Sequence, residues 1–266
     1  MVTEPGSWII VSDFDGTISQ EDLVVSLTTH FSDQNVALVE AMQAGKISLR
    51  QGLQKVFANL KSADRERYLA YAVTHGALRP GFEPAVQAFA QWHLPFFVVS
   101  NGLDFMVKPL LHGWVSPSHL YCNRANFQEP TIAIEWPWPC LADCGGGCGL
   151  CKPRIVQWLR LRYQAQVAFI GDGRTDFLGA EAADLVFARA ALARHFDQHH
   201  WSYLPFETFD DVVRGIRTRL LNPCLRCAEP SLGNSSRRQT SFSDTRSSDP
   251  QSTAPENRLA NPRRVR

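Results

Sequence analysis

Three short apolar runs, each ending in a cluster of small polar and acidic residues, constrain this chain more than any other feature. Trp8–Val11 leads into Ser12-Asp13-Phe14-Asp15-Gly16-Thr17, Phe96–Val99 into Ser100-Asn101-Gly102, and Val167–Ile170 into Gly171-Asp172-Gly173-Arg174-Thr175-Asp176. Together with Leu185–Phe187, these β-branched and aromatic runs are separated by longer stretches of helical periodicity, which predicts βαβ units and a parallel sheet. The expected class is therefore α/β, a Rossmann-like sheet with helices on both faces. In such a sheet the carboxyl ends of the strands share one edge, where open α/β sheets bind their ligands. The three clusters are expected to converge there and to bring Asp13, Asp15, Asp172 and Asp176 into one pocket.

Between the first and second runs lie about eighty residues with helix-like stretches near 20–31, 34–44, 48–60 and 65–75 and no convincing strand. That is too much for a plain crossover. An inserted helical subdomain over 18–81 is expected, splitting a catalytic core made of 1–17 and 82–221. Leu120–Phe127 and Thr131–Trp136 flank Gln128-Glu129-Pro130 and read as a hairpin or a pair of edge strands, followed by a loop rich in Gly, Pro and Cys from Pro137 to Cys151. From Asn222 onward the chain is rich in Ser, Pro, Arg, Asn and Gln with one aromatic residue, Phe242. So little apolar surface predicts a disordered tail over 222–266.

Charge follows the same division. The net charge of +1 hides eight Arg against four acids in residues 222–266, which leaves 19 basic against 22 acidic side chains before them. A mildly acidic body gives no footing for phosphate-backbone binding, so no nucleic-acid partner is expected. No apolar run approaches the roughly 20 residues of a membrane span, and no basic n-region with an apolar h-region precedes the first strand. A soluble, cytoplasmic protein with reduced or metal-bound cysteines is expected; its oligomeric state cannot be read from the sequence.

Carboxylates packed together raise one another's pKa unless a cation intervenes. Hard oxygen ligands favour Mg²⁺, which keeps several waters and takes one or two protein carboxylates together with a substrate phosphate. Thr17 and Ser100 stand ahead of expected helices and offer hydroxyl donors where helix N-termini favour phosphate. Lys152 precedes Pro153, a good first helical residue. Carboxylates, a metal, a lysine and hydroxyl donors make a phosphoryl-transfer site. Taken singly, each Asp-rich turn reads more readily as a helix N-cap than as a catalyst, and Lys152 as a solvated lysine; three clusters in register favour the site.

The order of these clusters resembles the haloacid dehalogenase superfamily of aspartyl phosphatases. Its first motif, Asp-x-Asp-Gly-Thr, corresponds to Asp13-Phe14-Asp15-Gly16-Thr17; Ser100 matches the second, Lys152 the third, and Gly171-Asp172 with Asp176 the fourth. The helical insert is similar to a type-one cap. Tyr121-Cys122-Asn123, Ile134-Glu135-Trp136-Pro137, the cysteine run ahead of Lys152-Pro153 and Asp184–Arg189 look like the methionine-salvage branch of the superfamily, which acts on 2-hydroxy-3-keto-5-methylthiopentenyl-1-phosphate. Two departures stand out: Asn101 occupies a position where Gly is expected, and Gly173-Arg174 replaces a Ser-Val-like pair.

The resemblance implies that Asp13 is the nucleophile and Asp15 the general acid and base. It implies Mg²⁺ held by the Asp13 side chain, the Asp15 backbone carbonyl and Asp172, with Asp176 orienting Lys152 or the metal's waters. Lys152 and Ser100 would hold the phosphoryl oxygens, with Thr17, Asn101, Gly102 and the insert residue Glu21 on the substrate, a small phosphorylated metabolite. The runner-up is another small-metabolite phosphatase, such as one acting on phosphoserine. From a different class, a silent member would serve as a binding module.

Cys140, Cys144, Cys148 and Cys151, at spacings of 4, 4 and 3, admit two readings. One is four thiolates around a structural Zn²⁺; the other, favoured, is a Gly-rich loop of reduced thiols that positions Lys152 by packing. Cys224 and Cys227 have no second pair and read as incidental. His195, His199 and His200 are expected on a solvated helix face, and Leu23, Val24, Leu27, Leu49, Leu53 and Phe57 as core of the insert.

Overall fold

A computed structural model describes residues 7–140 and 147–221. The chain separates into two units, 1–227 and 228–266; the second unit, and with it the whole of the tail expected over 222–266, lies outside the described residues, as do Cys144, Cys224 and Cys227.

The strands are β1 (Trp8–Ser12), β2 (Phe96–Leu103), β3 (Leu120–Asn126), β4 (Ala133–Glu135), β5 (Gln166–Gly171), β6 (Leu185–Ala188) and β7 (Leu204–Pro205). They form one seven-stranded sheet in the order β4-β3-β2-β1-β5-β6-β7. Every neighbouring pair is parallel except β3 with β4, which are antiparallel as the hairpin reading expected. β1 lies at the centre, between β2 and β5. The two-residue β7 carries no periodic signal and was not foreseen.

Alternation along β1 divides the core into two layers. Ile9 and Val11 pack with Phe97, Val99, Val167 and Phe169 and with Ile155, Val156 and Leu159 of α7 (Lys152–Tyr163). Ile10 faces the other way, with Val98, Ile170, and Phe82, Phe89, Phe209 and Ile216 of α5 (Phe82–Gln91) and α10 (Phe209–Ile216). Helices therefore cover both faces, and burying the strands on both sides explains their continuous apolar runs.

Between β1 and α5 come α1 (Leu23–Phe31), α2 (Gln34–Gln43), α3 (Leu49–Ala58) and α4 (Arg65–His75). Each begins close to where its periodic stretch does. Asp22 caps α1 by accepting from the Val25 N–H, and Ser48 with Gln51 forms a capping box on α3. Leu23, Val24, Leu27, Leu53 and Phe57 are buried and Leu49 is half-buried, as their helical spacing required. The chain leaves and re-enters the sheet region side by side: Ser19 and Leu78 form an antiparallel bridge, Gln20 N–H donates to the Ala77 carbonyl and Arg79 N–H to that of Ile18. Among the described residues no helix is long and apolar enough to cross a membrane.

Candidate active site

The ends of β1, β2 and β5 meet on one edge, as parallel pairing in register demands: Ser12 pairs with both Val98 and Ile170. One detail differs from expectation. Ser100-Asn101-Gly102 lies inside β2, because the strand pairs again with β3 at Leu103 and Asn123 after a register shift beyond Val99. The polar cluster thus sits in an irregular stretch of strand, where side chains are re-aimed without ending the ladder.

Asp13 is buried, and its Oδ1 accepts from the Phe14 N–H at 2.7 Å and from Lys152 Nζ at 2.7 Å. Lys152, 1 % exposed, also reaches Asp176 Oδ1 at 2.6 Å. A solvated lysine is thereby excluded: the first helical position of α7 aims this side chain into the sheet edge. Asp176 Oδ2 accepts from the N–H groups of Asp172 and Gly173, at 3.0 and 2.9 Å, so one carboxylate ties the lysine to the loop after β5. Asp172 Oδ1 accepts from the Thr17 hydroxyl at 2.5 Å. Between them Gly16 adopts φ +75°, and a Cβ there would lie 2.6 Å from Asp172 Oδ2, so glycine is required twice over.

Asp15 is half-buried on the other side of the loop. Its Oδ1 accepts from the Leu23 N–H at 3.1 Å, and its Oδ2 from the Ser100 hydroxyl at 3.3 Å, while the Ser100 oxygen accepts from the Gly102 N–H at 2.9 Å. A Cβ on Gly102 would come within 2.9 Å of Asp15 Oδ2. Glu21 is exposed, and its carbonyl, not its carboxylate, closes the loop by accepting from the Ser19 hydroxyl. Asn101 turns its side-chain oxygen to the Leu150 N–H at 3.2 Å. Arg174 donates from Nη1 to the Gln43 carbonyl at the end of α2, 2.9 Å away.

Burial, and after it the crowding of like charge, raises the carboxyl groups of this site. Asp15 is raised to about 8 by burial and then by Asp22. Asp172 is raised to about 6 by burial and then by Asp176. Asp13 is raised well above the usual carboxylate range, first by burial, then by Asp176, with Lys152 opposing. Burial disfavours the Lys152 ammonium, yet Asp13 and Asp176 outweigh it and raise its pKa. One lysine does not balance the surrounding acids. Carboxylate oxygens of Asp13, Asp172 and Asp176 lie within 4.8 Å of one another, the arrangement of hard donors that suits a small divalent cation. Among the described residues Cys140, Cys148 and Cys151 do not form such a group.

Two buried or half-buried arginines hold this edge and carry no periodic signal in the sequence. Arg79, 7 % exposed, donates to the carbonyls of Thr17 and Gly16 at 2.6 Å each, and Arg189 donates to the same Gly16 carbonyl at 3.1 Å. Arg79 stands on the segment that returns from the four helices, beside the isolated bridge of Leu78 with Ser19, so its partners become visible only when the two segments are brought together. One of the three histidines also differs from expectation. His195 stacks on Phe177 at 3.8 Å and meets Glu181 at 3.1 Å, so from α9 (Ala190–Gln198) it packs against α8 (Phe177–Glu181), whereas His199 and His200 are exposed as expected.

Comparison with known proteins returns the haloacid dehalogenase-like hydrolase family, matched over residues 10–181. The bifunctional enzyme MtnB/MtnX of Bacillus licheniformis is 39 % identical over 207 residues, which is 77 % of this chain and 48 % of that protein, so the chain spans about half of that relative. The 2-hydroxy-3-keto-5-methylthiopentenyl-1-phosphate phosphatase of Bacillus cytotoxicus is 34 % identical over 204 residues, covering 76 % of this chain and 93 % of that one. In fold, the chain resembles the crystal structure of phosphoserine phosphatase from T. onnurineus with a TM-score of 0.61, at 15 % identity over 82 % of this chain and 98 % of that one.

Proposed function

The chain belongs to the haloacid dehalogenase-like hydrolases, and from that premise we propose that it is a phosphatase removing phosphate from 2-hydroxy-3-keto-5-methylthiopentenyl-1-phosphate in the cytoplasm. The observation that carries the chemistry is the buried contact of Lys152 Nζ with Asp13 and Asp176, at 2.7 and 2.6 Å, beside a protonatable Asp15. The substrate assignment rests on the named relatives.

In the first step a carboxylate oxygen of Asp13 attacks phosphorus, the ester P–O bond breaks, and Asp15 gives its proton to the leaving oxygen. A pKa raised to about 8 keeps that proton on Asp15 at neutral pH. In the second step Asp15, now a carboxylate, takes a proton from water. The water oxygen attacks phosphorus, the bond to Asp13 breaks, and inorganic phosphate leaves. Lys152, Ser100 and the Gly102 N–H offer the donors for phosphoryl oxygens, while Asp176 keeps Lys152 in place. Mg²⁺, held by Asp13, the Asp15 carbonyl and Asp172, would supply positive charge between nucleophile and phosphate. Thr17 steers Asp172 by its hydroxyl. Residues 18–81 act in this reading as the cap, with Glu21 and the Arg174–Gln43 contact on the substrate side. Zinc on Cys140, Cys144, Cys148 and Cys151 is a separate reading, decided by elemental analysis of protein purified without chelator.

Turnover measured side by side on the methylthiopentenyl phosphate and on phosphoserine tests the substrate; a clear preference for phosphoserine overturns the assignment. Metal removal tests the site. Chelation should abolish turnover and added Mg²⁺ restore it. Asp15 and Asp172 have folded-state pKa values near 8 and 6 against 3.8 unfolded, so the folded chain holds protons that the unfolded chain releases. Their contribution to stability is present below pH 3.8 and is lost as pH rises through 6 and 8 in the metal-free protein. Mg²⁺ should therefore raise the melting temperature more at pH 8 than at pH 5. An equal rise at both would mean that the Asp172 carboxylate does not hold the ion.

A further inference from the structure

Two amide side chains beside the site are not used by the mechanism above. Asn123, fully buried on β3, donates from Nδ2 to the Asn101 carbonyl at 2.8 Å, and Asn101 Oδ1 accepts from the Leu150 N–H at 3.2 Å. The next N–H, of Cys151, donates to the Trp138 carbonyl at 2.8 Å, and the residue after it is Lys152. The segment that delivers the lysine is thus anchored at two consecutive backbone N–H groups just before α7 begins. One of the two anchors is a side chain.

The pair is not an economical way to build a core. Asn101 Nδ2 and Asn123 Oδ1 are buried with no protein partner, and an unmet polar group of this kind is destabilising. Leu150 beside them is fully buried in the apolar layer under α7. Amides retained at such a cost, where apolar residues would pack, point to a use other than stability. Asn101 also faces away from the reacting groups: its neighbour Ser100 reaches Asp15, whereas Asn101 reaches the loop behind Lys152.

We propose that Asn101, braced by Asn123, is a positioning residue that sets the place of the Lys152 ammonium through the Leu150 N–H and does not touch the substrate. This rests on the phosphatase reading and replaces the substrate contact expected of Asn101. Lys152 acts on the phosphoryl group common to all esters, so an error in its placement lowers turnover whatever the leaving group. A residue that grips the leaving group would discriminate between esters.

The test is Asn101→Gly in the full chain, assayed on the methylthiopentenyl phosphate and on p-nitrophenyl phosphate, with a thermal melt. Expected is a fall in kcat of roughly tenfold, as for a small misplacement of a catalytic group, by the same factor on both esters. KM should stay within about twofold, and the melting temperature should fall by no more than a few degrees, because the Leu150 N–H loses its acceptor while the unmet Asn101 Nδ2 is removed with it. A loss confined to one ester, a loss in KM alone, or an unchanged kcat overturns the proposal. Should Asn101→Gly fail to fold, Asn123→Ala gives the same reading, because it leaves the Leu150 acceptor present but unbraced; its kcat should fall on both esters, less steeply. Wild-type protein inactive on both esters would instead sink the phosphatase reading itself.

Discussion

Asp13→Asn is expected to reduce turnover by at least about 10⁴-fold, as loss of a nucleophile does, while leaving the metal-free protein no less stable, and at pH 8 more stable. The amide keeps an oxygen for the Phe14 N–H and for Lys152 Nζ, so the two hydrogen bonds at 2.7 Å survive. What it removes is a charge that burial and Asp176 both disfavour. Ionising the nucleophile runs against burial and Asp176, with Lys152 opposing them, and that is the sense in which activity and stability oppose one another here. Turnover on any phosphate ester, followed beside a melt at pH 8 without metal, checks both halves. Activity within a hundredfold of wild type would remove Asp13 from the nucleophile's role; a large fall in melting temperature would mean that its pairing with Lys152 outweighs its burial.

Lys152→Ala should lower kcat by about 10² to 10³, the range for removing one preorganised donor to developing charge, and should act on stability in the opposite direction. The ammonium is 1 % exposed and lies within 2.7 Å of two carboxylates. Taking it away leaves Asp13 and Asp176 buried without their cation, and breaking a buried pair costs about 3–5 kcal/mol. That loss should shrink as pH falls and the carboxylates take up protons. Lys152→Met, which keeps the apolar stem, separates the packing of the side chain from its charge. Kinetics with saturating Mg²⁺ and melts at pH 5 and pH 8 give the comparison. If alanine left kcat within threefold, the donor to the phosphoryl group would have to be sought elsewhere, with Ser100 and the Gly102 N–H the remaining candidates.

The opposite signs expected at Asp13 and Lys152 follow from one arrangement. Four acids, Asp13, Asp15, Asp172 and Asp176, surround one lysine, so removing an acid relieves the cluster and removing the lysine aggravates it. Mg²⁺ in the proposed position would diminish both effects, and the same two variants measured with and without it would show by how much.

Much of this site was legible in the sequence because its residues follow strands directly. Asp13, Asp15 and Asp172 stand within a few residues of β1 and β5, and local periodicity locates strands well when they are buried on both faces. Ser100 was found for the same reason although the strand continues past it, since only pairing with β3 reveals the irregularity. The four helices between β1 and α5 were equally plain, with apolar residues at helical spacing and polar caps ahead of two of them. His195 was misread because periodicity shows which face of a helix is polar and not what a neighbouring helix brings against it; Phe177 and Glu181 meet it from α8. The resemblance puts Asn101 on the substrate, and the hydrogen bond of its side-chain oxygen, made to a loop 49 residues away in the chain, is visible only in the folded protein.

The sequence by itself determined the α/β class, the helical insert and the edge at which the acidic clusters gather, because each is written in patterns shorter than a single element. Tertiary structure alone decided that Lys152 is buried between two carboxylates, that Arg79 and Arg189 share the Gly16 carbonyl, and that Thr17 holds Asp172. Each of those contacts joins residues dozens to more than a hundred positions apart, and their energy comes from taking charge and hydrogen-bonding groups out of water together. That is a property of the folded neighbourhood, and no local pattern of apolar and polar residues contains it.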